Sequence, residues 1–333
     1  MRKYITMLAI IVSALISTGA TSYASEFKGI VYTNDGHGSY EFTEKFQKVE
    51  NNLWVDGGDV LHGSDLAIIS QGEAMIELLN KKGLDVLVPG NHEFDYGTKR
   101  LLELEKKFNG KMIASNVYYK NTNKRVFEPY IIENIQGSKV LFIGLTTEEI
   151  NSKVYAPMVA DIEVINPSKE LELIISEVAK ESYDEVVIVG HLGKKATDNL
   201  SKKDKASFVL DGHDHKLLYK DNYINNGFNG ESVTLINLKS KESKSMNLNE
   251  YLKVNKITSK DSKLMSELSN KFIPELPSKT KITKVNEVMN LDKFSSAKEY
   301  DWKILYLLNK DKFNLSQKYQ FIGGERGVDL IVY

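Results

Sequence analysis

No cysteine occurs in the 333 residues, which excludes disulfides, thiolate metal ligands and lipid attachment through an N-terminal Cys. Any metal must therefore be held by nitrogen and oxygen. Net charge is lacking too: 44 basic and 45 acidic side chains leave −1, so no overall field recruits a nucleic-acid polymer or an anionic membrane. An anionic substrate has to be held locally. Arg326 is the only arginine beyond Arg125, and none of the six histidines lies beyond residue 215. Apart from the N-terminus, no apolar run approaches the length of a membrane span. What is present is enough apolar material for one large domain or two smaller ones.

The chain begins like an export signal. Arg2 and Lys3 form a basic start, Ile5 to Ile16 an apolar stretch too short to span a bilayer comfortably, and Ser22-Tyr23-Ala24 a small-x-small cleavage pattern. Residues 1–24 are expected to be a signal peptide cut after Ala24, which places the protein in a periplasmic, cell-envelope or extracellular compartment without a membrane anchor.

From Glu26 to about Asp214, short apolar runs alternate with amphipathic ones, the pattern of an α/β domain. Lys28–Thr33, Leu53–Val55, Val86–Val88, Lys111–Ala114, Val140–Gly144, Glu185–Val189 and Ser207–Leu210 read as strands. Most lack strict alternation, as expected of sheets buried on both faces. Helical periodicity marks Gly72–Lys82, Lys99–Lys107 and Ser168–Glu181, the last preceded by Asn166-Pro167, a cap followed by Pro in the first turn. Beyond Leu248 the composition turns to Lys, Ser and Asn, a helix is expected within Ser259–Lys271, and Pro274 and Pro277 interrupt the chain. The expected organisation is a catalytic domain over 25–248, a connector over 249–282 and a short C-terminal segment over 283–333. No internal repeat is apparent.

The histidines fall in informative places. Thr33-Asn34-Asp35-Gly36-His37-Gly38 follows an apolar strand and sets Asp35 and His37 in a Gly-bounded loop. Val55-Asp56-Gly57-Gly58-Asp59 sets a carboxylate at another strand end, where its two oxygens can bridge two cations. Pro89-Gly90-Asn91-His92-Glu93-Phe94-Asp95-Tyr96-Gly97 gathers an amide, an imidazole and carboxylates. Gly190-His191-Leu192-Gly193 and Asp211-Gly212-His213-Asp214-His215 follow two further strands, and alternate residues in extended chain share a side. Singly, each motif has an ordinary reading: a lone His near a strand end is more often a satisfied polar residue than a ligand. Asp95 alone could merely close a turn. Five such loops in a chain with so few histidines favour one shared site. His62, in Gly58-Asp59-Val60-Leu61-His62-Gly63, lies beside that site and is not counted among the ligands.

The order of these five motifs resembles the calcineurin-like metallophosphoesterases, and Thr33–Gly38 and Gly90–Gly97 resemble specifically their secreted 5'-nucleotidase branch, over roughly Phe27 to Leu248. The resemblance implies a four-layer α-β-β-α sandwich of two mixed sheets with the site at the strand ends. It implies two divalent transition-metal ions, Zn or Mn by preference. One would be held by Asp35, His37, Asp59 and His215, the other by Asp59, Asn91, His191 and His213. Two dications roughly 3.5–4 Å apart neutralise a phosphate and lower the pKa of a bridging water, which as hydroxide attacks phosphorus. His92 would face the substrate, and Asp95 would orient it.

The resemblance weakens after the connector. The family's second domain supplies an arginine cluster for phosphate and aromatic rings for the base, and the residues beyond 282 match neither motif. Remote binding energy normally positions the reacting group, so specificity is expected to suffer. Three readings therefore stand: a hydrolase releasing phosphate from nucleotides in the manner of a 5'-nucleotidase; a broader phosphomonoesterase or phosphodiesterase, 2',3'-cyclic nucleotides included; and a metal-binding remnant without catalysis. The expected partner is a small-molecule phosphoester, a nucleotide by preference, and not a nucleic-acid polymer. Oligomeric state is not encoded legibly.

Overall fold

The computed structural model describes residues 29–257, a few helical positions between 264 and 272, and the backbone of three strands between 281 and 332. The export signal and most of the helix expected within Ser259–Lys271 lie outside the described residues.

In chain order the strands are β1 (Ile30–Thr33), β2 (Leu53–Asp56), β3 (Val86–Leu87), β4 (Lys111–Met112), β5 (Val117–Tyr119), β6 (Tyr130–Ile135), β7 (Ser138–Thr146), β8 (Ile162–Val164) and β9 (Glu185–His191). They continue with β10 (Phe208–Leu210), β11 (Leu217–Lys220), β12 (Tyr223–Asn226), β13 (Val233–Asn237), β14 (Glu242–Met246), β15 (Lys281–Lys284), β16 (Tyr319–Gly324) and β17 (Gly327–Val332). The helices are α1 (Tyr40–Lys45), α2 (Asp65–Ile69), α3 (Glu73–Lys82), α4 (Thr98–Lys107), α5 (Ile150–Lys153), α6 (Pro167–Glu177), α7 (Lys194–Asp198) and α8 (Leu248–Val254).

Two six-stranded mixed sheets form the domain, ordered β14-β13-β1-β2-β3-β4 and β11-β12-β10-β9-β7-β6. Within the first, β1 to β4 are parallel and β13 joins β1 antiparallel. Within the second, β7, β9, β10 and β12 are parallel, with β6 and β11 antiparallel at the edges. Every expected strand is present, and the helices over 72–82, 99–107 and 168–181 form as α3, α4 and α6, the last ending at Glu177 and passing into a 3-10 turn over Val178–Lys180.

Side-chain alternation explains the layers. On β1, Ile30 and Tyr32 point between the sheets, where they meet Val140 and Phe142 of β7 and Val187 and Val189 of β9. The intervening Val31 points outward into a layer with Trp54, Phe46, Leu78 and Leu104 under α1 to α4. Likewise Leu141, Ile143 and Ile188 face outward against Leu171 and Ile174 of α6. Both faces of each sheet are thus apolar, which is why these strands read as continuous hydrophobic runs. Each such side chain contributes about 1.5–3 kcal/mol when fully buried. At Gly144 on β7, a Cβ would stand 2.3 Å from the Ile113 carbonyl oxygen, so that close crossing tolerates only glycine.

The helices start as their sequences direct. The Asn166 side chain accepts from the backbone of Ser168 and Lys169 ahead of α6, with Pro in the first turn. Asn247 caps α8 by accepting from Glu250 N at 2.9 Å. Tyr251 of α8 is fully buried and stacks on Phe46 at 5.3 Å, so α8 lies against the outer layer of the first sheet. Among the described residues, no helix is long and apolar enough to cross a membrane. The strands between 281 and 332 form a separate antiparallel sheet, β15-β17-β16.

Candidate metal centre

The parallel strands deliver their C-terminal ends to one place. Asp35 and His37 follow β1, Asp59 follows β2, Asn91 and His92 follow β3, His191 closes β9, and His213 and His215 follow β10. Loops beyond the carboxyl ends of parallel strands are where α/β sheets present functional groups.

Three of the groups of titratable side chains whose ligand atoms lie within 4.8 Å of one another occur here: Asp35, His37 and His215; Asp59, His191 and His213; and His37, Asp59 and His92. In the first, the Nε2 atoms of His37 and His215 are 2.8 Å apart, and His215 Nε2 is 3.3 Å from Asp35 Oδ1. In the second, His191 Nε2 lies 3.0 Å from Asp59 Oδ2, and the His191 and His213 rings meet edge to face at 5.1 Å. Asn91, between Gly90 and His92, is fully buried, and both polar atoms of its amide lack a hydrogen-bond partner among the described residues. Leaving such a group unsatisfied costs about 1–3 kcal/mol. Six of the seven residues expected as ligands thus occur in these groups, and Asn91 immediately precedes His92 of the third.

The surrounding backbone is held in shapes that side chains seldom adopt. Asp35, His37, Asp59, His213 and His215 all have positive φ, between 45° and 83°. Such conformations persist only where the surroundings over-determine them, and they gather at functional sites. Gly90 explains the close approach of the loops: a Cβ there would stand 2.3 Å from Asp59 Oδ1 and 2.8 Å from the His191 ring.

Glu93 fastens two of the loops together. Its fully buried carboxylate accepts from the backbone N–H groups of Asp59, Val60 and Gly90 at 2.7 Å and of Leu61 at 2.9 Å. The sequence shows Glu93 in its motif but not this role, which depends on contacts more than thirty residues away. His191 Nδ1 donates to the Gly57 carbonyl at 2.7 Å, which directs Nε2 toward Asp59. Asp35 accepts from the Asn34 side chain at 2.7 Å and from His213 N at 3.0 Å. Outside the cluster, His213 Nε2 meets Glu149 Oε2 at 3.0 Å.

Electrostatics follow from this crowding. Burial lowers the His37 pKa to about 4, which keeps the ring neutral, the form that binds metal. At His191 burial also disfavours the charged ring, but Asp59 and Asp35 outweigh it and push the pKa up to about 10. Burial opposes ionisation of Asp59 as well, yet His191 and His92 hold its carboxyl well below the usual range. The same negative charge that attracts a proton to His191 would favour a divalent cation at this nitrogen.

His92 and Asp95 stand alongside. His92 Nδ1 is 2.6 Å from Asp95 Oδ2, and its ring meets that of His37 edge to face at 5.3 Å. His62 Nδ1 approaches the same Asp95 oxygen at 3.3 Å.

Residues 29–217 match the family model described as calcineurin-like phosphoesterase. The chain belongs to the calcineurin-like phosphoesterase family. Among curated proteins it is 36% identical over 143 residues to a 5'-nucleotidase of Vibrio cholerae, an alignment covering 42% of this chain and 26% of that one. It is 29% identical over 185 residues to protein UshA of Escherichia coli, covering 49% of this chain and 34% of UshA. The matched part thus spans about a third or less of these relatives' length. In fold it resembles the calcineurin-like phosphoesterase YfkN of Bacillus subtilis, with a TM-score of 0.60 at 17% identity over 74% of this chain and 96% of that one. Two mixed sheets with helices outside are the metallophosphoesterase arrangement, as expected. The family implies divalent metal ions, and the residues fit them: an all-nitrogen-and-oxygen donor set, a carboxylate at Asp59 common to two of the groups and a buried Asn91 amide with no hydrogen-bond partner among the described residues.

Proposed function

We propose that this phosphoesterase is a dinuclear, metal-dependent hydrolase that releases phosphate from nucleotides in the manner of a 5'-nucleotidase. The observation that carries the proposal is that Asp59 belongs to two of these groups, with His191 and His213 and with His37 and His92, that Asp35, His37 and His215 form another, and that the buried Asn91 amide has no hydrogen-bond partner among the described residues. In this reading Asp35, His37, Asp59 and His215 hold one ion, and Asp59, Asn91, His191 and His213 hold the other, with Zn or Mn suiting the donors. When bound, the ions supply positive charge to a phosphate and lower the pKa of water beside it.

The chain's own residues supply the rest. Asp95, an acceptor toward His92 Nδ1, fixes the ring so that chemistry at His92 falls to Nε2, which stabilises charge on a phosphoryl oxygen or assists the leaving group. Glu93 and the Gly57 carbonyl hold Asp59 and His191 in place before substrate arrives, so little reorganisation accompanies reaction. Export with cleavage after Ala24 belongs to the same proposal and is supported by the N-terminal pattern. The mass of the exported protein tests it, and a retained N-terminus would reject it.

A broader phosphomonoesterase or phosphodiesterase is favoured by one observation, the scarcity of arginine beyond Arg125 for gripping a terminal phosphate. Phosphate release from 5'-AMP, 3'-AMP and 2',3'-cyclic AMP by metal-loaded protein, with Asp59→Asn as control, separates the readings. Preferential, Asp59-dependent cleavage of 5'-AMP supports the nucleotidase; equal or preferential cleavage of the other two supports the broader enzyme; no cleavage despite bound metal supports the non-catalytic reading.

A further inference from the structure

Resting on the hydrolase reading above, we propose that His62 is a positioning residue that acts on His92 through Asp95. The Asp95 carboxyl is fully buried, and its Oδ1 has no hydrogen-bond partner among the described residues. Among the described residues its polar contacts converge on Oδ2, which lies 2.6 Å from His92 Nδ1 and 3.3 Å from His62 Nδ1. The two imidazoles are parallel to within 4°, with centroids 5.3 Å apart. One carboxylate oxygen thus joins two aligned rings.

His62 is costly as mere filling. Its side chain is only 7% exposed, and an imidazole in that position loses water contacts that an apolar side chain of similar size does not need. Part of that cost is offset by the 3.3 Å contact of its Nδ1 with Asp95 Oδ2. The ring is also packed against Tyr96 at 5.5 Å, and Tyr96 is itself anchored by its hydroxyl to the Ala67 carbonyl at 3.2 Å. Asp95 is therefore gripped by a ring that cannot easily turn.

The covalent placement gives the contact its purpose. His62 lies three residues beyond Asp59 on the loop after β2, whereas His92 and Asp95 lie on the turn after β3. Glu93 joins these loops through their backbones; His62 joins them through side chains, at the pair that meets the substrate. Removing it leaves His92 as the only ring holding Asp95, and the pair can shift together relative to the phosphate. Such a shift affects the reacting geometry more than ground-state binding, so kcat falls and KM does not.

The test uses His62→Leu and His62→Gln in full-length, metal-loaded protein, alone and with Asp95→Asn. Leu fills the space without a donor, while Gln restores one. His62→Leu should lower kcat on 5'-AMP about tenfold with metal content unchanged and KM within about twofold. His62→Gln should recover most of that loss, and His62→Leu should have no further effect once Asp95 is Asn. Equal losses for Leu and Gln, or an undiminished effect in the Asp95→Asn background, would overturn the proposal. Ring-nitrogen NMR of the resting protein reads the same point without substrate: His92 should hold its proton on Nδ1 in the wild type and become a mixture in His62→Leu. An unchanged spectrum overturns the proposal. A changed spectrum in a protein that cleaves no phosphoester sustains the positioning role and rejects the hydrolase reading instead.

Discussion

The two halves of the metal centre differ in how they are built. Around Asp59, Asn91 and His191 everything is buried: the His191 side chain is 0% exposed and Asp59 2%. Protein contacts fix that half in advance, through Glu93 and the Gly57 carbonyl. Around Asp35, His37 and His215 the site opens, with His37 16% and His215 29% exposed, and His215 is backed by stacking on Phe228 at 5.1 Å. One half is a preformed cradle and the other a mouth. Charges in the cradle are worth more because little water screens them, whereas the mouth is open to solvent.

The largest effect is expected where the halves join. Asp59→Asn should reduce phosphoester cleavage at least about a hundredfold, judged by phosphate release under saturating metal. A drop of only a fewfold would mean that Asp59 does not unite the two halves. Next comes Glu93→Gln, which places amide hydrogens against two of the four backbone N–H donors in a buried position. The expected destabilisation is about 3 kcal/mol, read from the denaturant midpoint; an unaltered midpoint would show that the cradle is not held by Glu93.

Asn91→Leu should change sign with metal. Without metal the variant should be more stable than the wild type by about 1 kcal/mol, because an unsatisfied amide is gone. With metal it should gain less from binding, so that the order of thermal midpoints reverses. Lower stability in both states would assign Asn91 a purely structural place. The smallest effect is expected at the mouth: Phe228→Ala removes a ring that is 36% exposed and should raise KM by about twofold with kcat retained. A collapse of kcat there would place the mouth inside the reacting geometry.

Much of this was legible in the sequence, for a physical reason. Strands buried on both faces write themselves as unbroken runs such as Val140–Gly144, and each run that ends in Asp, Asn or His announces a strand-end loop. The positions of Asp35, Asp59, His191 and His213 could thus be read. The weaker strands were not: β12 is Tyr-Ile-Asn-Asn and β14 Glu-Ser-Lys-Ser-Met, polar edge or near-edge segments with no hydrophobic run to mark them. Nor could the sequence show that Asn226 of β12 donates its backbone N–H to Asn34, which anchors the first loop at 3.0 Å. Glu93 and His62 were visible as residues, but their roles come from partners on other loops, and local pattern carries no such pairing.

The most direct measurement is the metal content of Mn- or Zn-loaded protein, wild type beside Asp59→Asn, by elemental analysis after removal of excess ion. Two halves sharing one carboxylate predict about two equivalents per chain in the wild type and a clear loss in the variant. A reproducible single equivalent in the wild type, unaltered by Asp59→Asn, would contradict the account.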